Sequence, residues 1–144
     1  MKTVQQILRQ KGSAFWSVTP ETMVYNALKL MAEKDVGALL VLEGIRLVGI
    51  ISERDYARKV ILKGKSSLDT PVREIMTRRV LWVRPDQTVE ECMALVTEKR
   101  IRHLPVVVDD EVVGVVSIGD LVKASIDEKD FLIKQLENYI TGSR

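Results

Sequence analysis

The chain has 144 residues, 46% hydrophobic and 29% charged, with 22 basic against 20 acidic side chains. That size fits one compact domain or two very small ones with a real core, and no field of one sign drives the chain onto nucleic acid or a membrane. A single cysteine, Cys92, excludes an internal disulfide and a multi-cysteine zinc site, and no apolar run reaches the length of a membrane span.

In chain order, Thr3-Val4-Gln5-Gln6-Ile7-Leu8 reads as a short helical lead-in with no signal-peptide core, which with the lone cysteine points to a reduced cytoplasm. An opening strand over 16–18 meets Pro20 and a capping signal. A helix follows over 21–34, with Val24, Leu28 and Met31 at helical spacing. Two strands, 38–42 and 46–51, join across Glu43-Gly44. Their β-branched runs are nearly continuous, so both faces should be covered. A second helix starts at Ser52, and residues 63–69 form a polar linker.

The second half repeats the first. Shifting the chain by 65 residues aligns 18–55 with 83–120 without a gap, and pairs such as Val18/Val83, Pro20/Pro85, Gly49/Gly114, Ser52/Ser117 and Asp55/Asp120 are identical. The same reading gives a strand over 81–83, a helix over 86–99, and strands over 104–108 and 112–116 around Asp109-Asp110. Ser117 opens the last helix of the unit. The lead-in recurs as Thr70-Pro71-Val72-Arg73-Glu74-Ile75-Met76, followed by a loop three residues shorter than in the first copy. The expected organisation is repeat one over 3–62, linker 63–69, repeat two over 70–126 and a tail over 127–144. Asp127 or Asp130 would cap a tail helix whose apolar stripe, Leu132, Leu136, Tyr139 and Ile140, packs on its own domain or, preferably, on a partner copy.

The most informative stretch is written twice: Gly49-Ile50-Ile51-Ser52-Glu53-Arg54-Asp55 and Gly114-Val115-Val116-Ser117-Ile118-Gly119-Asp120. A buried strand runs into a helix with Ser at the N-cap and Asp three residues on. Ser and Asp then share one side of a positively polarised helix end, where a polar ligand can be held. The same pattern is also a plain capping box. The chemistry otherwise is thin: one histidine, His103, and no Gly-x-Gly-x-x-Gly, Walker A, His-Glu-x-x-His or Gly-x-Ser-x-Gly motif. Cys92 falls on a helical pattern between Val89 and Leu95, as a small core residue rather than a nucleophile. No enzyme is expected.

The duplication, the order of elements and Gly-x-x-Ser-x-x-Asp resemble a tandem pair of cystathionine-β-synthase (CBS) domains, the Bateman module, over roughly residues 3 to 126. Arg102-His103-Leu104-Pro105-Val106-Val107, the Gly-Ile-Ile-Ser-Glu-Arg-Asp string and Val72-Arg73-Glu74-Ile75-Met76 carry the likeness. The resemblance implies an α/β (α+β) fold of two β-α-β-β-α repeats packed by a pseudo-twofold. It also implies two equivalent clefts that bind adenosine-containing ligands, and a homodimer. An adenine nucleotide is the implied ligand, AMP foremost, with ADP, ATP or NAD as alternatives and no metal required. In that arrangement Asp120 and Asp55 take the ribose as bidentate acceptors. Ser117 and Ser52 serve the phosphate end, which Arg102 and His103 neutralise. Backbone groups near Val18 and Val83 read the adenine edge, and Gly37 and Ala38 leave room for its approach.

The repeats are unequal. Arg102-His103 stands where repeat one has Gly37-Ala38, whereas Arg54 and the Arg58-Lys59 pair follow Ser52 with Ile118-Gly119 after Ser117. Asp120 and Ser117 are the leading site residues. Blander readings exist for each: His103 as a half-buried strand residue, Trp16 and Trp82 as core, Arg58 and Lys59 as a solvated face. Two functions compete. One is a nucleotide-sensing regulatory module that signals through its conformation, its assembly or a downstream protein. The other is a ligand-free structural or dimerisation module.

Overall fold

The computed structural model describes residues 1–141. Its elements run α1 (Val4–Lys11), β1 (Ser17–Val18), α2 (Val24–Lys34), β2 (Ala38–Glu43), β3 (Arg46–Ser52), α3 (Glu53–Tyr56), α4 (Val89–Lys99), β4 (His103–Val108), β5 (Glu111–Ser117) and α5 (Ile118–Thr141). A π-helical turn, Ala57–Ile61, extends α3, and a 3-10 turn, Val72–Glu74, stands in for the second lead-in helix. The duplicated mixed α/β plan expected from the sequence is the plan of the molecule.

Each repeat pairs its strands alike. β1 runs parallel to β2, which is antiparallel to β3. β4 and β5 form the matching hairpin, with the same irregularity in register one residue past the centre. The expected strand over 81–83 contracts to a single parallel bridge, Val83 to Val106. The first hairpin turns on Gly44-Ile45 rather than Glu43-Gly44, because Glu43 pairs with Arg46 as the last rung of the ladder, and Gly44 supplies the positive φ, 64°, of the two-residue turn. Asp109 and Asp110 both adopt positive φ, 49° and 65°, a conformation that Asp tolerates better than most side chains.

The helices before the hairpins begin at Val24 and Val89, three residues later than the periodicity predicts. The residues after Pro20 and Pro85 are spent on turns instead: the Thr19 N–H donates to the Thr22 hydroxyl, and the Arg84 N–H donates to the Gln87 side chain. Thr88 then caps α4 in a reciprocal box with Glu91, while Met23 offers α2 no side-chain cap. Both helices end in a left-handed residue at φ 54°, Asp35 and Arg100.

Two cores form, and the lead-ins are exchanged between them. Val24, Ala27, Met31, Leu39, Val41 and Ile51 pack with Val72, Ile75 and Met76 from the segment that precedes repeat two. Val89, Cys92, Val96, Leu104, Val106, Val116 and Leu121 pack with Val4 and Ile7 of α1. Each repeat therefore completes its core with chain that belongs, in sequence, to the other. Gly49 and Gly114 admit these lead-ins. A Cβ on Gly49 would lie 2.7 Å from Met76 Sδ, and one on Gly114 would lie 2.9 Å from Leu8 Cδ2. Cys92 is fully buried, and burial, helped by Glu91, pushes its thiol up to about 11, which suits a packing role.

The tail departs from expectation. Asp127 and Asp130 cap nothing, because α5 runs unbroken from Ile118 to Thr141. Leu121 and Ala124 anchor its first turns in the core, and neither Gly nor Pro interrupts residues 120–141. Repeat one, by contrast, widens into the π-helical turn and stops near Gly64 at φ 68°. From Lys129 onward every described residue of α5 is exposed, including Phe131, Leu132, Ile133, Leu136, Tyr139 and Ile140.

Candidate functional site

Because strand 2 of each repeat begins beside the end of strand 3, the start of one hairpin and the first helical turn after it come together. Glu53 N–H donates to Gly37 C=O at 3.1 Å, and Ile118 N–H donates to Arg102 C=O at 2.8 Å. Two clefts open at these places, and their linings correspond through the 65-residue offset.

The Asp120 cleft encloses about 290 Å³. Repeat two supplies His103, Val115, Ser117 and Asp120, repeat one supplies Trp16, Asp35, Gly37 and Ala38, and Lys11 enters from the end of α1. The Asp55 cleft encloses about 500 Å³. There Ser52, Arg54, Asp55, Arg58 and Lys59 face Arg79, Leu81, Arg100, Arg102 and His103. His103 and Gly37 border both.

The Ser-Asp pairs fold as capping boxes in either cleft. Asp55 N–H donates to Ser52 Oγ at 3.2 Å, and Ser52 N–H returns a bond to Asp55 Oδ2 at 3.0 Å. Asp120 N–H donates to Ser117 Oγ at 3.1 Å, and Ser117 N–H reaches Asp120 Oδ2 at 2.8 Å. The carboxylates differ in what else they hold. Asp55 is almost fully buried, and its Oδ1 already forms an ion pair with Lys59 Nζ at 2.9 Å and accepts from Thr77 Oγ1 at 3.3 Å. Asp120 is more open, and Lys11 Nζ pairs with the same Oδ2 at 2.6 Å while also donating to Val115 C=O at 2.8 Å. The bonds from Lys11 and from the Ser117 backbone both end on Oδ2, and among the described residues no donor is placed on Oδ1.

The electrostatics follow. Burial by itself would raise the Asp120 carboxyl, but the hydrogen bonds from Lys11 and Ser117 and the lysine charge outweigh it, and the group is held below its ordinary value. Burial lowers the His103 imidazole, opposed by Asp120 and reinforced by Arg102 and Lys11. His103 is therefore neutral at neutral pH, a single N–H donor rather than a cation.

The structure places the expected site residues in a grouping that differs from the one read in the sequence. Asp120, Ser117, Gly37, Ala38 and His103 do meet in one cleft. Arg102 lies across from Asp55, Ser52 and Arg54 in the other, because it precedes β4 on the side that faces repeat one. Val18 and Val83 line neither cleft. Val83 is fully buried, and its N–H and C=O are spent on Pro105 and Val107. The walls at those places come two residues earlier, from Trp16 and Leu81. Trp16 is not core but a half-exposed cleft wall with Lys34 Nζ 4.3 Å from its ring centroid, and Trp82 stands outside both clefts. Arg58 and Lys59 line the Asp55 cleft while staying open to solvent, Arg58 exposed and Lys59 partly so. Lys11, Thr77, Arg79, Asp35 and Arg100 were missed. Only the opposite charges at the equivalent positions 35 and 100 were there to be noticed. Among the described residues no group of His, Cys, Asp and Glu is placed to hold a metal ion.

The profile of the CBS domain matches residues 13–62 and 72–127. The chain belongs to the CBS domain family. CBSX3, a mitochondrial CBS domain-containing protein of Arabidopsis thaliana, is 41% identical over 97% of this chain and 72% of its own. A CBS-domain protein of Burkholderia ambifaria superposes with a TM-score of 0.85 at 53% identity, over 88% of this chain and 95% of its own. CBSX2, solved in complex with AMP, is 31% identical with a TM-score of 0.71, covering 90% of this chain and 99% of its own. The CBS pair of MJ0100, solved with 5′-methylthioadenosine and S-adenosyl-L-methionine, gives 25% identity and 0.79 over 89% and 98%. The pair is a regulatory type of module, and two of the similar structures, CBSX2 and the MJ0100 pair, carry adenine-containing ligands.

Proposed function

We propose that this CBS pair is a non-catalytic sensor that binds an adenine nucleotide, AMP, ADP, ATP or NAD, in the clefts between its repeats and signals through its conformation or assembly. The observation that carries this reading is the open Oδ1 of Asp120, fixed by its cap and by Lys11 at the mouth of a cleft with an aromatic wall. A carboxylate so held accepts the paired hydroxyls of a ribose. AMP on CBSX2 and the two adenosyl compounds on the MJ0100 pair support adenosine as the common part. Signalling requires only that the ligand bind two arrangements of the module unequally. Because α1 and Val72–Met76 each tie one repeat into the core of the other, a shift at a cleft has a direct path to both halves.

The test is thermal unfolding against a nucleotide panel. A ligand at one hundred times its dissociation constant adds about 2.7 kcal/mol. Asp120→Ala should weaken binding of whichever adenine ligand occupies the Asp120 cleft, adenosine in the panel above all, by about 1.5–3 kcal/mol, the range for a hydrogen bond to a charged group, while leaving most of the stability in place. No shift with any adenine compound at millimolar level would instead favour a structural module, a reading supported by the saturated partners of Asp55. For assembly, the proposal is a homodimer through the apolar outer half of α5. Leu132→Asp with Leu136→Asp should then shift the mass measured by light scattering to a monomer, and an unchanged mass would reject that interface.

A further inference from the structure

We propose that the two clefts divide ligands by charge: the Asp55 cleft takes an oligophosphate nucleotide, and the Asp120 cleft takes a nucleoside without phosphate. This rests on the adenine reading above and assigns a ligand class to each of its sites.

The clefts descend from one unit, so equivalent positions can be compared directly. Arg100 stands where the Asp120 cleft has Asp35, and Arg102 stands where it has Gly37. Arg54 and Lys59 follow Ser52 where Gly119 and Ala124 follow Ser117. The Asp55 cleft is thus ringed by six basic side chains against Glu53 and Asp55. Its one lysine is committed, Lys59 Nζ donating to Ile75 C=O at 2.9 Å as well as pairing with Asp55. Its five arginines have no carboxylate within ion-pair distance among the described residues. Planar guanidinium groups left unpaired around a cavity match the oxygens of a phosphate chain.

The Asp120 cleft presents the reverse. Lys11, the one cation among its lining residues, is consumed by Asp120, Lys34 lies against the Trp16 ring, and Asp35 has no cation within ion-pair distance among the described residues. A phosphate chain there would meet like charge. The smaller cavity and the Trp16 wall suit a base and sugar instead. His103, neutral between the two clefts, lends a donor to either and a charge to neither. Asp35 and Arg100 also share a left-handed backbone at φ 54°, so each position already accepts the other's residue type.

Calorimetric titration with ATP, adenosine and inorganic tripolyphosphate tests the division. ATP should bind the wild type at one site per chain, adenosine should still bind the ATP-saturated protein, and raising salt should weaken ATP but not adenosine. Arg100→Asp with Arg102→Gly should weaken ATP and tripolyphosphate at least 30-fold and leave adenosine within twofold, its retained binding showing that the variant folds. Asp35→Arg with Gly37→Arg should create a second ATP site. Adenosine and ATP binding that suffer equal loss in the first variant, or ATP filling two equal sites in the wild type, would overturn the division while leaving the nucleotide reading intact. Failure of both adenosine and ATP to bind the wild type would overturn the two together.

Discussion

The two clefts are copies of one crevice with opposite electrostatic character. One is cationic and keeps its aspartate fully engaged; the other is acidic, smaller and walled by an aromatic ring. Gene duplication reproduced the Ser-Asp caps, the hairpins and the two glycines, while the charges on the side chains that face the cavities diverged. Shared scaffold and divergent lining mark what each part is for. The scaffold must be kept for packing, whereas the lining is free to choose a ligand.

The largest expected effect breaks the symmetry of the lead-ins. Gly49→Ala would press a methyl on Met76 and also lie 3.1 Å from the Thr77 carbonyl, which is tied to Ile50. Overpacking of this kind costs about 1–3 kcal/mol, read by denaturant unfolding. Gly114→Ala meets only the end of Leu8 and should cost less. Next, Asp55→Ala should destabilise by about 1–2 kcal/mol, since it removes a cap and strands Lys59. Asp120→Ala should cost less, because the ion pair it breaks is more open to water. Equal losses would erase the contrast between the carboxylates.

A smaller effect is pH dependence at the shared wall. His103 has a folded-state value below its unfolded one, so its contribution is fully present above the ordinary histidine value and is lost as pH falls through the folded value. NMR titration should find that depressed value, and His103→Gln should flatten this part of the stability profile. The smallest change is Lys11→Met. Asp120 has a depressed folded value, so its stabilisation is present above the ordinary aspartate value and lost on acidification through the folded one. Without Lys11 the Asp120 value should rise, at a cost of less than about 1 kcal/mol for a partly exposed pair. An unmoved Asp120 titration would show that Lys11 does not hold it.

Much of this was legible in the sequence. Periodicity gave helices and hairpins within a few residues, and the 65-residue offset gave the duplication. Gly-x-x-Ser-x-x-Asp located both caps. What stayed hidden is long-range. No local signal says that Val4 and Ile7 fill the core of repeat two, and so nothing placed Lys11 on Asp120, 109 residues away. Arg102 sits next to His103 in sequence, yet Arg102, just before β4, lines the Asp55 cleft alone, whereas His103, the first residue of β4, borders both. The continuous α5 was missed because acidic residues at 127 and 130 imitate caps, whereas absence of a breaker lets the helix pass through them.

The most direct measurement is an amide-resolved NMR titration with ATP. Resonances of Ser52, Asp55 and Arg102 should shift first, and those of Ser117 and Asp120 should move only when adenosine is added. Shifts confined to surfaces outside both clefts would contradict the account.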